Sequence, residues 1–274
     1  MPAKRAKNKR SLAARADKYR LYEQAVQEPE ADIDFAVDTF RSEFARRPRR
    51  LREDFCGTAA VCCEWVRAHA RNRAWGVDLA REPLEWSRKH HLAALKASQR
   101  RRVRLVQGDV RGAGSEPVDV VLAQNFSYFL LRERRHLVGY FRAAYRNLDH
   151  QGLLVLDAYG GTNSVRRASE ATEYDDFVYE WDQDDFDPIG RMATCHIHFE
   201  FPDGSRLERA FSYHWRMYTI PEIRDALDAA GFTATEAYWE GVDPDTDEGD
   251  GVYTAQVRGT PDDAWVAYIV GIKR

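Results

Sequence analysis

Five polar or acidic residues each close or follow a short run that could be a strand: Glu53, Asp78, Asp109, Gln124 and Asn125, with Gly57 just behind the first of them, although Arg49, Arg50 and Arg52 leave the run before Glu53 poor in apolar residues. If the runs are strands of an open parallel sheet, these residues lie at the carboxyl ends, where such sheets bind ligands. The stretch LREDFCGTAAV, residues 51 to 61, then reads as strand, tight turn and helix start. Gly57 lets backbone come close to a ligand, Thr58 offers a capping hydroxyl, and Ala59 and Ala60 are small enough for a helix to pack tightly on a sheet. Asp78 closes the second run, and a carboxylate there suits the two hydroxyls of a ribose. A GxGxxG fingerprint is absent, which counts against a dinucleotide.

Proton transfer needs a different set of side chains. Tyr128 follows the fourth run, and Tyr213, His214 and Tyr218 lie on a later aromatic segment; the His214 imidazole is of the type that serves as a general base. Alternating aromatics on a hairpin also serve plain cross-strand packing. Tyr22, on an N-terminal helix, is a candidate to close over the ligand, with ordinary packing as the alternative. His196 and His198 share a strand face, but no cysteine or acid completes a metal set beside them, so no metal is assigned. The four cysteines, Cys56, Cys62, Cys63 and Cys195, lack zinc spacing and read as reduced core thiols.

The elements that must position these residues alternate. Tyr19, Tyr22, Ala25 and Val26, then Ile33, Phe35, Ala36, Phe40 and Phe44, predict two amphipathic helices ahead of the first strand. After it come a helix over 62–70, a strand over 73–79, a helix over 82–99, a strand over 103–106, a strand over 118–123, a helix over 131–148 and a strand over 152–158. Helices alternating with strands argue for a parallel sheet covered on both faces. Segments 177–181, 191–201 and 205–218 then read as antiparallel strands, with Pro202–Ser205 a turn. A helix over 221–230 capped by Gly231 and two strands, 233–239 and 265–272, close the chain, with the acidic segment between the strands expected as a long loop.

At 274 residues the chain can bury a substantial core. Its net charge of −3 conceals segregation, with basic runs at Lys4–Arg15, Arg46–Arg52 and Arg100–Arg104 and acidic ones at 175–187 and 243–250. The basic N-terminus is a candidate for contact with nucleic acid. No apolar run is long enough to cross a bilayer and no secretion signal precedes the chain, so a cytoplasmic protein without a membrane partner is expected.

The arrangement resembles the class I S-adenosylmethionine-dependent methyltransferases over roughly Leu51–Asp157 plus the closing strands. That family's first motif is an acid, two variable residues or glycines, then CGTG; here Glu53–Ala59 reads EDFCGTA, with Phe55 and Ala59 where glycine is usual. The resemblance implies S-adenosyl-L-methionine as cofactor, with Glu53, Cys56, Gly57, Thr58 and Ala59 under its methionine part and Asp78 on the ribose. It also implies Leu79 packed on the adenine, Asp109 and Val110 at the adenine amino group, and Gln124 and Asn125 bordering the methionine and substrate side. Ser212–Phe232 is similar to the end of the antiparallel lid of glycine and sugar-amine N-methyltransferases.

The expected fold is therefore Rossmann-like α/β, a doubly wound, seven-stranded, mostly parallel sheet with an antiparallel lid insertion and N-terminal helices. The expected domains are a disordered tail over 1–15, a helical cover over 16–50, a cofactor-binding domain over 51–160 and 219–274, and a lid over 161–218. Methyl transfer to a small-molecule acceptor, an amine being suggested by the acidic segments, is the expected function, with Tyr128 and His214 as catalytic candidates. The alternatives are an RNA or ribosomal-protein methyltransferase and a non-enzymatic S-adenosylmethionine-binding module. Oligomeric state is not readable.

Overall fold

The computed structural model describes residues 10–246 and 249–274. In chain order the elements are α1 (Lys18–Val26), α2 (Pro29–Phe44), β1 (Arg50–Asp54), α3 (Ala60–Ala68), β2 (Arg73–Asp78), α4 (Arg81–Lys89), α5 (His91–Ala94), α6 (Ala97–Arg100), β3 (Val103–Gln107), β4 (Val118–Ala123), α7 (Arg134–Asn147) and β5 (Leu148–Gly160). They continue with β6 (Ala168–Glu173), β7 (Val178–Asp187), β8 (Met192–Glu200), β9 (Arg206–Arg216), α8 (Ile220–Ala230), β10 (Ala234–Val242), β11 (Gly249–Ala255) and β12 (Trp265–Lys273). The chain divides into two compact units, one formed by Glu28–Val165 with Trp215–Arg274, the other by the segment ending at Gln27 with Arg166–His214.

The larger unit carries an eight-stranded sheet in the order β11-β10-β12-β5-β4-β1-β2-β3. β3, β2, β1, β4 and β5 run parallel, while β12, β10 and β11 are antiparallel additions. Strand order reverses between β1 and β4, so the carboxyl ends of these two strands flank the switch point at which such sheets open a crevice. Ile33, Ala36, Val37 and Phe40 of α2 join Leu51, Val61, Trp65 and Val120 in the apolar core of this unit.

β1 is a strand in spite of its arginines because buried acids neutralise them. Asp119, on β4, accepts the backbone N–H groups of Arg49 and Arg50 at 2.8 Å each and pairs with the guanidinium of Arg46 at 3.0 Å. Arg52 is wholly buried: it donates to Asp54 at 2.7 Å, to the carbonyl of Ala113 at 2.6 Å and to that of Val110 at 2.9 Å, while the Tyr140 hydroxyl donates to the other Asp54 oxygen at 3.1 Å. Arg49 lies against His69, 2.8 Å from its Nδ1. The basic run 46–52 is thus built into the unit, with Arg46, Arg49 and Arg50 engaged by partners and only partly exposed.

The smaller unit is the four-stranded antiparallel sheet β6-β7-β8-β9. Tyr179, Trp181, Ile197 and Phe199 point to one face and pack with Leu21, Tyr22, Ala25 and Val26 of α1, whose first turn is capped by the Asp17 carboxylate accepting from the Tyr19 N–H at 3.1 Å. The opposite face is polar, with His198 Nδ1 lying 2.7 Å from Glu208 and His196 Nδ1 2.8 Å from the Ser212 hydroxyl.

Several expectations are corrected. Order begins before Lys18: the Leu12 N–H donates to Asp203 at 2.9 Å and the Ala13 N–H to Ser205 at 3.0 Å, and Ala13–Arg15 form a 3-10 turn, because Leu12, Ala13 and Ala16 have an apolar cluster to join. Lys4, Arg5, Lys7 and Lys9 lie outside the described residues, as do Asp247 and Glu248. The two N-terminal helices fall in different units rather than forming one cover. The helix expected over 82–99 is interrupted into α4, α5 and α6, and the expected acidic loop contains β11, which raises the sheet from seven strands to eight. The smaller sheet has four strands because β6 pairs with β7.

Candidate functional site

The turn after β1 is unusual in its backbone. Phe55, Gly57 and Ala59 all have left-handed conformations, with φ of 57°, 50° and 56°, so Phe55 and Ala59 adopt by strain the geometry that glycine takes freely. Tertiary bonds hold it there. The Cys56 N–H donates to the Val77 carbonyl at 3.0 Å, the Gly57 N–H to Asp78 at 2.7 Å, and the Cys62 N–H, in the first turn of α3, to Glu53 at 2.9 Å. The Phe55 ring packs edge-on against Tyr140 with centroids 5.4 Å apart. A Cβ built on Gly57 would meet nothing within 4 Å, so this backbone borders open space. Ala59 and Cys56 are buried, and Thr58 is 4% exposed.

At the end of β2, Asp78 is bound on both oxygens by main chain, accepting from Gly57 on one and from the Ala80 N–H at 2.7 Å on the other. Each carboxylate oxygen retains acceptor capacity for a hydroxyl. Leu79 follows with 72% of its surface exposed, an apolar platform beside that carboxylate. Past β3, Asp109 is held by Arg111, whose Nε and terminal nitrogen donate at 2.9 and 2.5 Å, and the guanidinium keeps the carboxyl below its usual range. Val110 is buried and gives its carbonyl to Arg52.

Past β4, Asn125 and Phe126 are consecutive left-handed residues, clamped by the buried Asp157 at the end of β5. Its two oxygens accept from the Asn125 N–H at 2.6 Å and the Phe126 N–H at 2.8 Å. Both amide atoms of the Gln124 side chain are buried with no hydrogen-bond partner. Buried amides without partners are costly, and an amide at a strand end beside the switch point is what a ligand would satisfy.

The electrostatics of this edge are acidic. Burial pushes Glu53 up to about 8, opposed by the bonds from Cys62 and reinforced by the charges of Asp32 and Asp78. Burial likewise pushes Asp157 up to about 8 against the Phe126 bond, and Asp32, on α2, up to about 6 against a bond from the Tyr268 hydroxyl. Burial is the main cause in all three, with the neighbouring acids adding to it, and a cation bound beside these carboxyls favours their ionised form.

Glu53 lies in β1 and Asp78 closes β2, while Cys56, Gly57, Thr58, Ala59, Leu79, Asp109, Val110, Gln124 and Asn125 lie on the turns that follow β1 to β4. Tyr128 is displaced from the role expected of it. It is fully buried, its hydroxyl donates to the Asp157 carbonyl at 2.8 Å, and burial raises its ionisation well above the normal phenol range, so it cannot take up a proton from an acceptor. Tyr22 and His214 belong to the smaller unit, where the Tyr22 ring packs 4.8 Å from Phe211 and His214 stands exposed on β9, its Nδ1 3.1 Å from the Thr194 hydroxyl. Tyr218 donates to the Leu131 carbonyl at 2.6 Å. Sequence reasoning passed over Asp157 and Asp32. Asp157 carried a signal, an acid closing the fifth strand, whereas Asp32 looked like one more solvated acid on a helix.

No protein-family model and no curated protein matches the chain in sequence. Solved structures match in shape. An S-adenosylmethionine-dependent methyltransferase from Clostridium acetobutylicum aligns with a TM-score of 0.66 at 17% identity, over 93% of this chain and 98% of that one. CalS10, an amino pentose methyltransferase from Micromonospora echinaspora, gives 0.65 at 18% identity, over 94% and 98%. The sugar N-methyltransferase KedS8 from Streptoalloteichus gives 0.63 at 18%, over 94% and 93%. The chain has the fold of the S-adenosylmethionine-dependent methyltransferases.

Proposed function

We propose that this protein is an S-adenosylmethionine-dependent methyltransferase acting on a small-molecule acceptor, with an amine as the group methylated. The observation that carries the reading is the edge of the sheet at the β1/β4 switch point. There an open-sided Gly57 turn, the Asp78 carboxylate beside exposed Leu79, and the partnerless Gln124 amide are gathered among acids that favour a cation. These residues fit the cofactor group by group. Asp78 takes the ribose hydroxyls, Leu79 carries the adenine ring, the 54–59 turn lies under the methionine part, and Gln124 meets its polar end.

When bound, the cofactor supplies an already activated sulfonium methyl group. What remains for the chain is to hold the acceptor in line and to keep water out. A neutral amine held in line with that methyl group would receive it on its nitrogen lone pair, S-adenosylhomocysteine would be the other product, and the proton of the methylated ammonium would pass to solvent. An acceptor of this class is supported by likeness of fold to proteins described as amino pentose and sugar N-methyltransferases.

Calorimetry with S-adenosylhomocysteine on the wild type and Asp78→Asn tests the cofactor assignment. The asparagine accepts from only one of the two backbone N–H groups that bind Asp78, so an unchanged melting temperature is the check that the turn survives, and the loss of charge-assisted bonds to the ligand should then weaken binding by about 1 to 3 kcal/mol. Equal affinity would refute the ribose role of Asp78. Transfer of labelled methyl from S-adenosylmethionine to a panel of amino sugars, with the matching hydroxyl sugars and RNA as controls, tests the acceptor; label found only in RNA would sink the small-molecule reading.

A further inference from the structure

A cavity of about 320 Å³ lies at the other end of the strands from the crevice, where β2 and β3 begin. Three separate segments converge on it: Arg73 and Trp75 from β2, Ser98 and Arg101 from α6 and the turn after it, and Arg104 from β3. Four arginines line it against one carboxylate, Glu116, which sits 4.0 Å from Arg73. The fourth arginine, Arg102, donates to the carbonyls of Val66, His69 and Asn72 at the end of α3, at 2.9, 3.0 and 2.5 Å. Its Nε also donates to the Ser98 carbonyl at 3.2 Å, so Arg102 is fixed in the wall with its donors engaged by main-chain carbonyls, and it adds positive charge to the cavity with no carboxylate beside it among the described residues. Arg101 and Arg104 are exposed and have no carboxylate partner among the described residues.

A merely solvated basic edge would spread its arginines to lower their repulsion and to find acids, as the run at 46–52 does with Asp119 and Asp149. Here the arginines are brought together around a concavity, and the nearly buried indole of Trp75, 4% exposed, forms one wall of it. Guanidinium groups arriving from different directions match an anion with several oxygens at the separations of adjoining phosphoryl groups, each fork bonding two of them. The size is that of a small-molecule site. An extended nucleic-acid backbone prefers a stripe or long groove of cations to a single concavity of this size.

We propose that this cavity binds a phosphorylated small molecule with at least two adjoining phosphoryl groups, of which pyrophosphate is the minimal form. The site is separate from the strand-end crevice, and nothing in the argument depends on the methyltransferase reading. Arg101 and Arg104, both exposed, supply the bonds to the ligand, and Arg102, held in the wall, supplies charge.

The test is calorimetry of the full chain with pyrophosphate at constant ionic strength, alongside a single-stranded RNA 20-mer. Pyrophosphate should bind the wild type and bind the double variant Arg101→Ala, Arg104→Ala at least about tenfold more weakly, the scale of losing charge-assisted bonds. Arg104→Gln alone should show an intermediate loss. Arg134→Ala, an exposed arginine on α7, should bind like the wild type, which separates a built cavity from general attraction to a cationic surface. Both cavity side chains are exposed, and an unchanged melting temperature of the double variant checks that it has folded. Absence of pyrophosphate binding, equal loss in Arg134→Ala, or full affinity in the double variant would overturn the proposal. So would RNA that binds more tightly than pyrophosphate and loses affinity in the same double variant, since that identifies a nucleic-acid surface.

Discussion

Ala59 sits at φ 56° immediately before α3, and its methyl is completely buried. A left-handed alanine costs about 1 to 2 kcal/mol, and a buried methyl returns about 0.8 kcal/mol, so the two nearly cancel. Ala59→Gly should therefore change stability by less than about 1 kcal/mol. One residue on, Ala60 is helical and also buried, and there a glycine relieves nothing; Ala60→Gly should cost about 1 kcal/mol in helix propensity and about 0.8 kcal/mol in lost burial. Urea unfolding of the two variants decides the matter. Equal destabilisation would show that the turn is not strained at Ala59. That Gly57 and Thr58 mark a tight turn leading into a helix was readable from residue type alone. That Phe55 and Ala59 would keep the glycine-like path was not, because it is imposed from outside the turn by Asp78, Glu53 and the Val77 carbonyl.

Among the elements, β1 is the one whose formation depends most on partners distant in sequence. Its Arg52–Asp54 pair is sealed from water between Tyr140 and the 110–113 segment. Removing one member leaves the other charge buried and unpaired, so Arg52→Met should cost about 3 to 5 kcal/mol. Arg52→Met with Asp54→Leu removes both charges, and most of that loss should be recovered, as read from the urea midpoint. If the double variant is as unstable as the single one, the bonds to the Val110 and Ala113 carbonyls dominate rather than the charge. The same contrast explains which elements the sequence revealed. Val118–Ala123, buried at every position, reads as a strand from its unbroken apolar run. β11 does not, since Gly249–Ala255 has a neighbour on one side only, is almost entirely exposed, and is acidic and glycine-bearing. The 82–99 helix looked continuous because its apolar spacing persists across the breaks at His90 and Leu95, which backbone geometry alone introduces.

At the scale of the whole molecule, the strand-end acids couple stability to ligand charge. Glu53 and Asp157 are raised to about 8 and Asp32 to about 6, all above the ordinary carboxylate values. A carboxyl whose folded pKa is raised favours the folded state while protonated. That contribution is complete below the unfolded value near 4 and is lost as pH rises through the folded value. The ligand-free protein should therefore lose stability between about pH 5 and pH 8.5, as these groups are forced to ionise beside one another. A cation bound among them makes ionisation favourable and expels their protons, so affinity for S-adenosylmethionine should rise over the same interval. S-adenosylhomocysteine lacks the sulfonium charge and should gain much less. Melting temperatures measured at pH 5.5, 7 and 8.5, without ligand and with each of the two, test this directly: the stabilisation by S-adenosylmethionine should grow with pH faster than that by S-adenosylhomocysteine. Parallel pH dependence for the two ligands would mean that the acids respond to the shared amino-acid and ribose groups and not to the sulfonium, and that Glu53 and Asp157 serve to brace the turns they bond rather than to hold a cation.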